Sequence, residues 1–209
     1  SKARHWFELA GNHDARSQPL FAHYFPRPAA YGVEIGNILL LLLSDTIPSS
    51  ATEIPDEAFA WWRDMVLGNQ ERIIVTVSHA QLEESGLLGS SIADRRIEGL
   101  ARFEEVLRQA RVDIWASGHC HLPHWLPGTV SIQKELGGTC FVNVSAIQPG
   151  FLQDSQSRVL LFEDGSNRLV IRSRNHTSGR FQESREMVLR LSKPFVRGDK
   201  DLRVINGPR

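Results

Sequence analysis

Cysteine, net charge and long apolar runs are all scarce in this chain, and each shortage removes a class of protein. Cys120 and Cys140 are its two cysteines in 209 residues. They cannot build a disulfide framework, and they suit a reduced intracellular protein, expected here to be cytoplasmic. Lys and Arg number 24, as do Asp and Glu, so no overall field draws the chain to nucleic acid or to an anionic membrane. Any recognition of phosphate must therefore be local. The longest apolar run, Ile38 to Leu43, is far too short for a bilayer and reads as a buried strand. No signal-peptide pattern is visible, and the chain starts at Ser1 without a methionine, which leaves room for an upstream segment.

What remains is ordinary globular composition, 41% hydrophobic and 23% charged, with length enough for one domain and a sizeable core. Arg4 to Ala10 reads as a short strand stopping at Gly11-Asn12-His13-Asp14. Ala15 to Tyr31, interrupted by Pro19, Pro26 and Pro28, reads as a surface loop with aromatic anchors. Val33 to Leu43 reads as one strand entering a sheet covered on both faces. Asp56 can cap a helix carrying Phe59, Trp62 and Val66, with Gly68 to close it.

Arg72 to Val77 is a β-branched strand ending at His79, Leu82 to Ser91 is expected to be a mobile loop, and Asp94 to Ala110 an amphipathic helix. Val112 to Ala116 then leads into Gly118-His119-Cys120-His121. Four more strand-like segments follow, Thr129 to Gln133, Thr139 to Val144, Arg158 to Glu163 and Arg168 to Arg172, the last two joined by a turn at Asp164 to Asn167. Glu186 to Leu191 adds another strand. One domain is thus expected over residues 1–192, with a weakly ordered tail over 193–209.

In such α/β alternation the loops after the strands gather on one sheet edge, where ligands bind. His13, His79, His119 and His121 all occupy that kind of position. An isolated strand-end histidine is usually an ordinary hydrogen-bonded or exposed residue; several at successive strand ends form an N/O shell suited to a metal. If the backbone stays extended through His119 and His121, both rings point to one side and Cys120 points into the core. Gly118 would supply the turn.

Gly11-Asn12-His13-Asp14, the strand-borne His79 and Gly118-His119-Cys120-His121 resemble, in order and context, the motifs of the calcineurin-like metallophosphoesterases. That resemblance implies an α/β sandwich of mixed β-sheets flanked by helices. It also implies hydrolysis of phosphodiester or phosphomonoester bonds by a metal-activated hydroxide, on a phosphorylated small-molecule or phosphodiester substrate. Asn12, His79 and His119 would ligate one metal of a dinuclear centre holding Mn, Fe or Zn, and His121 would ligate the other. His13 would face the substrate, with Asp14 holding its ring. Arg16 is the best candidate for a phosphate contact, since its fork suits phosphate oxygens.

The departures from the pattern matter as much. The family's Asp-x-His and Gly-Asp motifs do not precede Gly11, and Asp45, Asp113 and Asp154 lack their context. The domain is therefore expected to be short of its first β-α-β unit, to hold one metal or none by itself, and to pair with a missing segment or a second copy. Two alternatives stay open: a degenerate phosphoesterase domain that binds a partner without catalysis, and a single zinc held by His79, His119 and His121. His124 and His23 could face a substrate, but nothing separates either from an ordinary surface histidine.

Overall fold

The computed structural model describes residues 5–45, 52–150, 154–198 and 202–208. Helices α1 (Asn12–Ala15) and α2 (Gln18–Tyr24) precede strands β1 (Ala30–Ile35) and β2 (Ile38–Leu43). Helix α3 (Asp56–Gly68) leads to β3 (Ile73–Ser78), the short β4 (Gln81–Leu82) and β5 (Arg96–Ile97), and helix α4 (Leu100–Gln109). Then come β6 (Ile114–Ser117), β7 (Val130–Gln133), β8 (Thr139–Asn143), β9 (Gln156–Phe162), β10 (Arg168–Asn175), β11 (Arg180–Phe181), β12 (Met187–Arg190) and β13 (Arg203–Asn206).

Seven strands form a mixed sheet in the order β13-β1-β2-β3-β6-β8-β7. Its centre, β2, β3, β6 and β8, is parallel, and β13, β1 and β7 run antiparallel to their neighbours. Alternation along the parallel strands sorts the side chains onto two faces. Leu39, Leu41, Leu43, Ile74, Trp115 and Phe141 pack beneath α3 and α4, against Trp62 and Phe103. Ile38, Ile73, Val75, Ile114, Cys140 and Val142 pack against Leu169 and Ile171 of the second sheet, which is built on β10, and against Leu191 and Phe195 from the segment after β12. The result is the helix, sheet and sheet layering of the expected α/β sandwich.

Several local expectations are corrected. Residues 5–10 join no strand, and Arg4 lies outside the described residues. Ala15 to Tyr31 is not an irregular loop: it holds α2, with Pro19 in the first turn where no N–H is needed. The expected single strand over Val33 to Leu43 is the second arm and part of the first arm of a hairpin, turning at Gly36 (φ +57) and Asn37. Continuous apolarity concealed the reversal, because both arms are buried. Gly68 lies inside α3, and Asn69 caps it. Leu82 to Ser91 is packed, with Leu82, Ser85 and Leu87 buried.

The helix expected over Asp94 to Ala110 starts only at Leu100. Asp94 (φ +64) and Gly99 (φ +83) adopt left-handed conformations that no helix continues, and Arg96–Ile97 pairs in parallel with Gln81–Leu82. The expected weakly ordered tail is tied down where it is described. Phe195 enters the core, Lys193 Nζ donates to the Gln70 and Arg72 carbonyls at 2.7 and 3.0 Å, and β13 pairs with β1. Among the described residues no helix is long and apolar enough to cross a membrane.

Candidate functional site

The parallel strands end in register: Leu43 pairs with Ser78, Ser78 with Ser117, and Ser117 with Asn143. One residue further, each chain is at the same sheet edge, the carboxyl edge where α/β ligands collect. The Gly118 N–H donates to the His79 carbonyl at 2.8 Å, tying the two histidine-bearing loops together. The segment before α1 is clipped onto the same edge, since the Asp45 N–H donates to the Ala10 carbonyl (2.9 Å) and the Ala10 N–H to Ser44 Oγ (3.1 Å). That clip delivers Asn12.

Three of the four expected metal ligands meet there. His79 Nε2 stands 3.1 Å from Asn12 Oδ1 and 3.0 Å from His119 Nδ1. Two donors about 2.0–2.1 Å from one tetrahedral cation stand ~3.3 Å apart, so each of these two pairs is spaced like ligands of a shared ion. Its chemistry also fits. Burial, with the neighbouring His119 charge, pushes the His79 pKa down to about 4, and burial lowers that of His119. Both rings are thus neutral and offer lone pairs at neutral pH. His119 Nε2 meets the Asp94 carbonyl at 2.9 Å. A carbonyl only accepts, so this nitrogen carries the proton and Nδ1 is left free to face the trio.

Space for the His79 ring comes from Gly11, where a Cβ would stand 2.7 Å from the ring atoms. Gly11 itself is extended at φ −100, so the requirement is room and not backbone freedom. Asp14 Oδ2 accepts the Gly11 N–H at 2.9 Å. Through that bond the Asp14 carboxylate closes the helix start.

His13 and His121 flank the trio closely enough for their charges to lower the His79 and His119 pKa values. Both are exposed. Arg16 is exposed at the end of α1, where its backbone N–H donates to the Asp14 carbonyl. The expected extended path through the motif is not found. His119 (φ +61) and His121 (φ +49) are both left-handed, an unusual and strained conformation for histidine, while Gly118 is not. Cys120 accordingly does not enter the core; its Sγ lies 3.6 Å from the Arg95 carbonyl and burial raises its pKa, so it stays a thiol.

Among the described residues no three His, Cys, Asp or Glu side chains group to hold a metal; the trio pairs two imidazoles with an amide oxygen, a donor set that suits one cation. His121 alone does not make a second site. His124, expected as an ordinary surface histidine, is buried. The Asp94 carbonyl had no sequence signal at all, being a backbone atom aimed by a left-handed residue.

The family model for the calcineurin-like phosphoesterases matches residues 1–123. Among solved structures, the chain is similar to purple acid phosphatase PPD1 from yellow lupin (Lupinus luteus) seeds, with 16% identity, 77% of this chain and 32% of that one covered, and a TM-score of 0.51. It is also similar to a putative 5′-nucleotidase from Staphylococcus aureus in complex with alpha-ketoglutarate, with 16% identity, coverage of 90% and 37%, and a TM-score of 0.45. The chain spans roughly a third of the length of each. The lupin enzyme shows a shared fold. No curated protein matches the chain in sequence.

Proposed function

We propose, from the premise that this chain belongs to the calcineurin-like phosphoesterase family, that it carries the metal-binding half of a phosphoesterase site acting on phosphomonoesters or phosphodiesters of small molecules. The observation that carries the reading is the approach of Asn12 Oδ1 and His119 Nδ1 to His79 Nε2, at 3.1 and 3.0 Å. These three would hold a divalent cation. When bound, such an ion supplies neutralisation of phosphoryl charge and a more acidic water.

The chain's own residues do the rest. His13, at the second position of α1, faces solvent beside the trio and is left without a ligand's role, so it can hold a proton for the departing oxygen or donate to a phosphoryl oxygen. Arg16, on the same short helix and exposed, offers a two-pronged donor to the remaining phosphoryl oxygens. The Asp94 carbonyl keeps the His119 proton on Nε2, and Asp14 keeps the Gly11 turn closed so that Asn12 and His13 stay aimed at the edge.

The test is in two steps. Calorimetric titration of the metal-free protein with Mn²⁺ or Zn²⁺ should show one site, weakened about tenfold or more by Asn12→Ala or His119→Ala. Turnover of p-nitrophenyl phosphate or its bis-aryl diester should then need the metal and fall roughly 10²–10⁴-fold in His13→Ala at unchanged metal affinity. Metal binding without turnover of either ester would overturn the hydrolytic reading in favour of a partner-binding domain.

A further inference from the structure

Asn143, the first polar residue after the apolar run of β8, is fully buried beside the loop that carries His119. Its backbone is fixed on both sides: the N–H donates to the Thr129 carbonyl at 2.9 Å, and the carbonyl accepts Arg158 Nε at 3.3 Å. The strand register sets it opposite Ser117, one residue before Gly118. The side chain is thereby delivered to the base of the histidine motif.

The partners of the amide determine its orientation. The Ser145 N–H reaches Oδ1 at 2.9 Å and can only donate, so the other arm is Nδ2, and it donates to the Gly118 carbonyl at 3.1 Å. That carbonyl also accepts the Cys120 N–H at 2.7 Å, which closes a three-residue turn with His119 at its apex. With His119 at φ +61, this is the rare and strained form of such a turn. A strained turn persists only where its surroundings over-determine it. Here the Gly118 N–H is held by the His79 carbonyl at 2.8 Å, and the His119 ring by the Asp94 carbonyl at 2.9 Å. Among the described residues, Asn143 is the one side chain that donates to the carbonyl closing the turn.

We infer, building on the reading of Asn12, His79 and His119 as ligands, that Asn143 is a positioning residue for that site: by pinning the Gly118 carbonyl it keeps His119 at positive φ and its Nδ1 against His79 Nε2. The side chain acts through one peptide group. It supplies a donor that a carboxylate or an aliphatic residue at the same place would lack.

The experiment uses the full chain, first without metal. The His79 and His119 rings stand edge to face with centroids 4.8 Å apart, so cross-relaxation between their ring protons reports the placement of His119. Asn143→Ser keeps a side-chain oxygen for the Ser145 N–H but is too short to reach Gly118. It should weaken the ring-to-ring signal and speed exchange of the Cys120 amide about tenfold or more, as local opening of the turn requires. Zn²⁺ affinity by calorimetry should fall roughly 10–100-fold. Asp113→Ala, just before β6 at the end away from Gly118, is the control: it should lower the melting temperature and leave the ring contact and the metal affinity unchanged. Wild-type ring contact and affinity in Asn143→Ser overturn the inference, and so does an equal loss in Asp113→Ala, since Asn143 then contributes stability only. Should Asn143→Ser fail to fold, the wild type decides: the Asn143 Nδ2 protons and the Cys120 amide should both be protected from exchange, and rapid exchange of either overturns the inference. A wild type that holds the rings together yet binds neither Zn²⁺ nor Mn²⁺ overturns the proposed function instead, and the ring contact still decides the role of Asn143.

Discussion

At the scale of single residues, the site depends on small clearances and on one proton. Gly11 has no side chain where a Cβ would lie 2.7 Å from the His79 ring, a distance that forces the ring to move. Gly11→Ala should therefore leave the sheets intact, lowering the melting temperature by only a few degrees, while weakening Zn²⁺ or Mn²⁺ binding roughly 10–100-fold. Calorimetry beside thermal denaturation separates the two effects. Equal loss in both would mean that Gly11 serves packing alone. The His119 proton is set differently, by a backbone carbonyl that no side-chain substitution removes. Asp94 holds that carbonyl in place at φ +64, a conformation a β-branched residue resists. Asp94→Val should disturb the aim of the carbonyl and lower metal affinity, whereas Asp94→Gly, which accepts positive φ at no steric cost, should retain most of it.

At the scale of elements, Asp113 shows why two layers stay in register. Its buried carboxylate accepts the Ile74 N–H at 3.2 Å from β3, and the Ser192 N–H and Oγ at 2.7 and 3.1 Å from the segment after β12. Asp113→Ala strands three donors, one on β3 and two on the segment after β12, and should cost roughly 2–4 kcal/mol, seen as a melting temperature lower by about 5–15 °C. A change within a degree or two would show that water replaces the carboxylate. This residue also marks the limit of what the sequence discloses. Its lack of motif context set it apart from the histidine motifs, and nothing local announced a tie to Ser192, a residue so distant in the chain. The same division runs through the fold. The parallel strands ending at His79 and before His119 were legible because alternating apolar residues and polar strand ends are local patterns. The Gly36-Asn37 reversal and the union of β13 with β1 were not, since both depend on partners brought from elsewhere. For the site, the residue types were legible. The left-handed backbone at His119 and His121 was not, because His119 takes it up with its ring against Asp94, and the tertiary contact overrides local preference.

For the whole molecule, equal numbers of acids and bases leave the response to mild acid with the buried imidazoles. Burial, aided by nearby positive charge, holds His79 at about 4 and His124 at about 3, and lowers His119 as well. In the unfolded chain each returns to about 6.5. Between pH 6.5 and 5 the unfolded state therefore binds protons that the folded state refuses, and stability must fall as pH falls, by up to about 1.4 kcal/mol per pH unit for each such group. Ordinary carboxylates, near 4, are still ionised in that window, so the slope belongs to histidine. Denaturant unfolding of the metal-free protein at pH 7.5, 6.5, 5.5 and 5 should give a slope approaching two or more protons at the acid end. His124→Phe keeps a ring of similar size without a titrating nitrogen and should lower that slope by about one proton, leaving the share of His79 in place. A wild-type stability that is flat from pH 7.5 to 5 would mean that both rings reach solvent or find an acid partner, and would remove the basis for treating His79 as a neutral donor in the trio.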